Sequence, residues 1–409
     1  MMRERDERLW NAGLHVVGEL VNDGHEAYLV GGCVRDRMLG RPLHDIDITT
    51  SALPEQVMKL FSRTIPTGLQ HGTVTVLEGG LVFEVTTFRQ EFGYSDARRP
   101  DEVAFVLDVR EDLARRDFTF NAMAVGLDHE VIDPFGGRND LQARIVRCVG
   151  HANERFSEDA LRILRAIRFG AELGFELAAE VWEGITLQRQ RLSQVAMERV
   201  GTEWDKMMSG ANPELAYHWL QQSGLLAHLK EQLPQQLVDY QMSDRAITHK
   251  ITSIVDVDLR WAALLTSAGL SVEQSLQFGR SLRFSSRRGQ RIASVVGFSQ
   301  MLQFDANHER CTFAREHWID AVLAYGISTA EDWHKIYRTE TSTEYEWLAS
   351  IPITVVSQLA IKGNELSKQL NKPPGPWIAQ ILQHLLAEVA HGRLANERDA
   401  LLRIASTWD

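Results

Sequence analysis

An α+β fold is predicted, with strands confined to the first third of the chain and helices filling the rest. Two observations predict it. Apolar residues alternate with polar ones, as strands require, in several short runs before about residue 150 and almost nowhere after it. Helical spacing then dominates to the end. It is punctuated by breaks at Gly210-Ala211-Asn212-Pro213, Gln232 to Gln236 and Pro373-Pro374-Gly375-Pro376. No tandem repeat or low-complexity stretch interrupts this plan.

The elements follow in order. Leu9, Leu14, Val17 and Leu20 give residues 3 to 22 helical spacing, which Asn22-Asp23-Gly24 ends. The apolar strand EAYLV comes next. It runs into Gly31-Gly32, which opens a short helix carrying Arg35. A second strand is DIDIT, followed by a short helix begun by Ser51 with Pro54 in its first turn. TVTVLE and LVFEVTTF are joined by Gly79-Gly80, a pair that supplies the positive φ angles of a two-residue hairpin. Residues 89 to 102 are polar and turn-rich and read as a mobile loop. RRDFTFNA, at 115 to 122, reads as two helical turns, and VIDPFGGRNDL as a strand leaving through a Pro/Gly turn.

Bulk properties bound the function. The 409 residues suffice for roughly two to four modules. With 44% hydrophobic and 24% charged residues the composition is that of a soluble globular protein. No apolar run approaches the ~18 residues that span a bilayer. The charged start MMRERDERLW lacks the apolar core of a signal peptide. Cys33, Cys148 and Cys311 fit no zinc spacing, so an intracellular, reduced protein is expected. The net charge of −11 disfavours a nucleic-acid partner only if charge is spread evenly. Arg280, Arg283, Arg287, Arg288 and Arg291 form one acid-free basic run. Arg144, Arg147, Arg155, Arg162, Arg165 and Arg168 form another basic stretch. Each is either a solvated helix face or a surface that tracks a nucleic-acid backbone.

Three constellations carry chemistry. In DIDIT, alternation puts Asp45 and Asp47 on one face and Ile46 and Ile48 on the other. Two adjacent carboxylates repel unless a cation sits between them, commonly Mg²⁺. Gly31-Gly32 precedes a helix, a turn whose N–H groups suit a phosphate. Glu84 stands in a mostly apolar strand, where an unpaired carboxylate is costly, and the hairpin lets it approach the aspartates. Cradle and carboxylates together read as phosphoryl or nucleotidyl transfer. In RRDFTFNA, Asp117 and Asn121 are spaced i, i+4, either as a capped helix start or as ribose and phosphate contacts alongside Arg116. In SEDALRILRAIRF, Asp159 and Arg162 are spaced i, i+3 on one helix and Glu158 and Arg162 i, i+4. An acceptor beside a donor matches the Watson–Crick edges of cytosine and adenine. It leaves polar groups unpaired against uracil or guanine, at roughly 1–3 kcal/mol each. Glu158 would brace the guanidinium. The bland alternative is an exposed ion pair.

These residues together resemble the class II tRNA nucleotidyltransferases, the CCA-adding enzymes, within the polymerase β-like nucleotidyltransferase superfamily. The likeness is dense from about residue 25 to 175 and thin afterwards, apart from NKPPGPWI near 371 to 378. It implies a nucleotidyltransferase head with a mixed sheet over 1–150, a helical neck over 151–208, a body over 209–310 and a tail over 311–409 that binds tRNA. It implies a two-metal Mg²⁺ site on Asp45 and Asp47, with Glu84 as third catalytic carboxylate. Nucleotide contacts fall to Gly31, Gly32, Arg35, Arg116, Asp117, Asn121, Glu158, Asp159, Arg162, Arg165 and Arg168. The implied substrates are CTP, ATP and the acceptor and TΨC arm of tRNA, and the implied compartment is the cytoplasm. Alternatives are A-only or CC-only addition and poly(A) polymerization. TGLQHGTV stands where poly(A) polymerases carry a basic run, which favours CCA addition, and the presence of the 89 to 102 stretch disfavours CC-only addition. His44-Asp45 mimics a phosphohydrolase dipeptide, but the helical part has no second one, so no phosphohydrolase activity is expected.

Overall fold

A computed structural model describes residues 2–93, 102–241, 248–304, 313–337 and 343–408. The chain divides into two compact units, Met1–Gln232 and Leu233–Asp409. The division falls within the break read at Gln232 to Gln236.

The first unit opens with α1 (Met2–Asn22), β1 (Ala27–Val30), α2 (Gly32–Met38), β2 (Asp47–Thr50) and α3 (Pro54–Leu60). There follow β3 (Thr64–Gly68), β4 (Thr73–Glu78), β5 (Leu81–Thr87), β6 (Arg89–Phe92), β7 (Glu102–Phe105) and α4 (Val109–Ala114). Then come β8 (Ala124–Val125), β9 (Val131–Ile132), α5 (Gly137–Ala143), β10 (Ile145–Val146), α6 (Ala152–Glu158) and α7 (Leu161–Leu173). The unit closes with β11 (Glu176–Leu177), α8 (Ala179–Gln188), α9 (Met197–Ser209) and α10 (Pro213–Gln222).

The main sheet has the order β3-β4-β5-β2-β1-β8-β9. It is mixed, because β2 and β5 run parallel while β1 is antiparallel to both β2 and β8. Burial follows the alternation in sequence. Ile46, Ile48, Val74, Val76, Phe83 and Val85 point into the core, where Val16, Val17 and Leu20 of α1 meet them. Gly79 and Gly80 take φ of 58° and 75°, as the hairpin turn requires.

Four local readings need correction. Residues 89 to 102 are not one loop: β6 and β7 form an antiparallel ladder, and only 94–101 lie outside the described residues. RRDFTFNA is not two helical turns. α4 ends before it, and only Thr119–Asn121 forms a single 3₁₀ turn. The helix read through 157–169 is broken, with α6 ending at Glu158 and α7 starting at Leu161. One short strand, β11, survives beyond residue 150 and pairs in parallel with β10.

The second unit is helical in all its described elements. They are α11 (Gln235–Asp239), α12 (Thr248–Ser253), α13 (Val257–Ser267), α14 (Val272–Ser281), α15 (Ser286–Met301) and α16 (Arg315–Tyr325). α17 (Ile327–Tyr337), α18 (Thr343–Ser350), α19 (Gly363–Gln369), α20 (Trp377–Ala390) and α21 (Arg398–Ala405) complete it. Trp261, Phe298, Trp318 and Trp333 are fully buried at its centre. Leu366, Leu385, Val389 and Leu401 make a separate cluster under α19 to α21. Cys33 and Cys148 are free and buried, and Cys311 lies outside the described residues.

Candidate active site

The parallel pairing of β2 with β5 sets the register of the candidate carboxylates. Asp47 and Glu84 are ladder partners, and Glu84 in turn faces Thr75 on β4. Asp45 lies just ahead of β2, exposed and two residues from Asp47, while Ile46 and Ile48 are both buried. Burial raises the Asp47 carboxyl above the ordinary carboxylate range. Arg116 pulls it back, and the charges of Glu84 and Asp45 push it further up. Glu84 does not carry the cost expected of it, because its side chain is exposed on the open face of the sheet. Among the described residues, no three His, Cys, Asp or Glu side chains form a closed metal cage. An open pair of oxygen donors is what Mg²⁺ suits, since it keeps several waters and takes one or two carboxylates plus substrate phosphates. The donor set therefore fits a hard divalent cation.

Asp45 and Asp47 open into a cavity of ≈ 580 Å³ lined also by Gly32, Arg35, Arg168 and Lys206. That volume is of the size that holds a nucleotide. Gly31 caps α2 with φ 78°, and its N–H is already given to the Met123 carbonyl at 3.2 Å. Of the two expected cradle glycines, only Gly32 lines the cavity. Arg35 is a buried tie. Its Nε and Nη2 fork onto Asp36 at 3.0 and 2.8 Å, and its Nη1 donates to Asn121 Oδ1 at 2.7 Å.

That bond starts a buried chain. Asn121 Nδ2 donates to Asp117 Oδ1 at 3.1 Å, and Arg165 Nε donates to Asp117 Oδ2 at 2.7 Å. Burial opposes the charge on Asp117, but Arg165, Asn121 and Arg162 outweigh it and push its carboxyl down to about 2. A depressed carboxyl stabilises the fold above its unfolded value near 3.9 and loses that contribution as pH falls through the folded value. Asp117→Asn should therefore lower stability by on the order of 2 kcal/mol at neutral pH. The penalty should fade between about pH 5 and 2. Thermal unfolding of both proteins across that range checks it, and a gap that persists at pH 2 would contradict it.

The pair expected to read the base, Asp159 and Arg162, has a different geometry from a helical i, i+3 neighbour pair. Asp159 sits in the break between α6 and α7 with extended backbone, φ −134° and ψ 104°. Its Oδ1 accepts the Leu161 N–H at 3.0 Å, so it restarts the chain as α7. Its partner is Arg199 of α9, whose Nη1 and Nη2 donate to the two carboxylate oxygens at 3.3 and 2.8 Å. Arg162 is buried. Its Nη1 donates to Glu158 Oε2 at 2.7 Å, and its Nη2 to the Arg115 carbonyl at 2.9 Å. Glu158 also holds Arg155. Arg168 ties α7 internally to Glu203 at 2.7 Å and Glu172 at 2.9 Å. The Arg144 to Arg168 stretch is thus largely consumed by internal pairs.

Three family models match the chain. They are the poly A polymerase head domain over residues 27–147, a probable RNA- and SrmB-binding site of polymerase A over 174–237, and a putative second domain of tRNA nucleotidyltransferases over 252–405. Curated relatives extend over nearly the whole length. The CCA-adding enzyme of Bacillus cytotoxicus is 38% identical over 396 residues, covering 94% of this chain and 95% of the relative. That of Lactiplantibacillus plantarum is 37% identical, covering 93% and 92%. The chain belongs to the CCA-adding enzyme family. Among solved structures, the Bacillus stearothermophilus CCA-adding enzyme in complex with CTP superposes with a TM-score of 0.78 at 32% identity, covering 98% and 97% of the two chains.

A CCA-adding enzyme extends the 3′ end of tRNA from CTP and ATP, and nucleotidyl transfer of this type depends on divalent metal. The head model is shared with poly(A) polymerases, but the full-length relatives are CCA-adding enzymes. Several residues of this CCA-adding enzyme escaped the sequence reading. Arg199 and Glu203 each hold an expected site residue from far along the chain, and Asp112 holds Arg116 four residues away. No local spacing announces Arg199 or Glu203, which sit among Glu198, Asp205 and Lys206 in one charged helix.

Proposed function

We propose that this chain completes tRNA 3′ ends with C, C and A through the following division of labour. The row Asp47–Glu84, with Asp45 beside it at the mouth of a nucleotide-sized cavity, is the observation that supports it. Asp45 and Asp47 would hold Mg²⁺, with Glu84 as the third carboxylate. When bound there, Mg²⁺ lowers the energy of the attacking 3′-alkoxide and neutralises charge on the phosphoryl oxygens. Gly32 approaches the triphosphate closely from the start of α2. The Asp117–Asn121 pair takes the ribose, held still by Arg35 and Arg165. Asp159 accepts from the amino group of cytosine or adenine, Arg162 donates to the ring nitrogen, and Glu158 with Arg199 fixes their planes. Protein groups thus stand where a template base would.

The helical remainder is read as neck, body and tail over 151–208, 209–310 and 311–409, holding the acceptor and TΨC arm by shape and phosphate contacts. Among the described residues no helix is long and apolar enough to cross a membrane, and the cytoplasm is the compartment that suits such an enzyme. Within the basic run of α14 and α15, Arg288 pairs with Asp258, and Arg291 pairs with Asp256 and Asp332 at 2.8 Å each. Arg280, Arg283 and Arg287 remain exposed. Replacing these three should weaken tRNA binding and reduce the slope of log affinity against log salt by about one per arginine. Replacing Arg291 should instead destabilise the second unit. Binding titrations from low to high salt separate the two, and an unchanged slope would return the run to a solvated face.

The deciding experiment supplies Mg²⁺, CTP and ATP with two tRNAs, one ending at the discriminator base and one already carrying CC. Three additions to the first and one to the second, with nothing longer, is the expected result. Extension of the second alone would mean A-adding, two additions and a stop CC-adding, and a long adenosine ladder poly(A) polymerization.

A further inference from the structure

A fourth carboxylate stands behind the catalytic strand. Asp112 of α4 is fully buried, with 0% exposure. Its Oδ1 accepts from Arg115 Nε at 2.9 Å and from the Arg89 N–H at 3.3 Å. Its Oδ2 accepts from the Thr49 hydroxyl at 3.2 Å and from Arg116 Nη2 at 3.5 Å. Thr49 is two residues along β2 from Asp47. Arg116 reaches the same strand by another route. Its Nη1 lies 2.8 Å from where a side chain on Gly31 would begin, and Gly31 follows Val30, the ladder partner of Asp47. Arg116 Nε is buried without a hydrogen-bond partner, so its guanidinium is only partly fixed. One cation therefore lies against the buried Asp112 and beside the strand position of the half-buried Asp47.

We propose that Asp112 is the counter-ion that holds Arg116 back from Asp47, leaving the Asp47 carboxylate available to the divalent cation. Asp112 is a positioning residue that acts through Arg116. The inference rests on the reading of Asp47 as a metal ligand. Without the Asp112 charge, Arg116 would close on Asp47 and supply in place of the metal the positive charge that site requires.

Asp112→Asn tests this with little change of shape. The amide oxygen stays on the side with two donors, Arg115 and the Arg89 N–H. That turns the amide NH₂ towards Arg116, while the Thr49 hydroxyl rotates to accept. Mn²⁺ affinity of the nucleotide-free protein, read from the electron paramagnetic resonance of unbound Mn²⁺, should fall on the order of tenfold. Half-maximal activity should need correspondingly more Mg²⁺, with kcat at saturating metal close to wild type. Adding Arg116→Met to Asp112→Asn should restore Mn²⁺ affinity, and Arg116→Met alone should tighten it. A structural role would move none of these in that pattern. Unchanged Mn²⁺ affinity in a folded Asp112→Asn protein overturns the inference. If that variant does not fold, Arg116→Met binding Mn²⁺ no tighter than wild type overturns it instead. Asp47→Asn in the same titration separates the two levels: unchanged binding there removes the metal reading and the counter-ion role together. Lost binding there, with unchanged binding in Asp112→Asn, removes the counter-ion role alone.

Discussion

Asp47→Asn is expected to abolish transfer of both nucleotides while raising thermal stability. The two effects share one cause. Burial disfavours the charge on Asp47, Arg116 favours it, and the charges of Glu84 and Asp45 disfavour it further. An acid whose folded value is raised destabilises the fold wherever the unfolded chain would already be ionised, that is, above roughly pH 4. Asparagine keeps the shape and removes the repulsion, so the unfolding midpoint should rise at pH 7 and match wild type near pH 3. Transfer should fall by at least roughly a thousandfold, since the variant loses a ligand at the atom where charge develops. Calorimetry at both pH values and single-nucleotide extension of a CC-ended tRNA are the measurements. Near-normal extension would remove the metal assignment, and a lowered midpoint at pH 7 would remove the strained-carboxylate account. Strain held at a working site is a familiar trade of stability for activity.

Arg162→Ala should relax base selection far more than it weakens triphosphate binding. A wrong base facing a fixed donor and acceptor leaves polar groups unpaired, at about 1–3 kcal/mol each, or roughly five- to 150-fold in relative kcat/KM. Discrimination of CTP against UTP should fall by a factor in that range. The variant also strands the Arg115 carbonyl and leaves Glu158 to Arg155, so some stability will be lost. Arg162→Lys is the control. It keeps the charge beside Glu158 but loses the planar fork, so it should recover stability more than selectivity. Unchanged discrimination against UTP in Arg162→Ala would exclude the protein template.

The carboxylate row was legible because its causes are local. Period-two alternation places Asp45 and Asp47 by themselves, and Gly79-Gly80 fixes the hairpin that carries Glu84. The parallel pairing of β2 with β5 was not legible, because strands 30 residues apart leave no mark of their register in either one. The Asp159–Arg162 spacing misled for a different reason. A short acidic side chain can capture a nearby N–H and restart a helix, and Asp159 does so at Leu161. Its charge then faces Arg199 and not Arg162. The pairing of the basic stretch from Arg144 to Arg168 was not legible, because sequence shows the arginines and not the acids brought to them, such as Asp117, Glu172 and Glu203.

The ladder between β2 and β5 also governs which length changes the head can survive. Adding one residue between Leu81 and Glu84 would turn Glu84 to the opposite face and bury it where Phe83 and Val85 now pack. Adding residues at the Gly79-Gly80 turn would lengthen the hairpin and leave the ladder untouched. The turn is exposed, whereas Phe83, Val85 and Thr87 of the strand are buried. A loop grafted at that turn is therefore a route to new RNA contacts that leaves the carboxylate register in place.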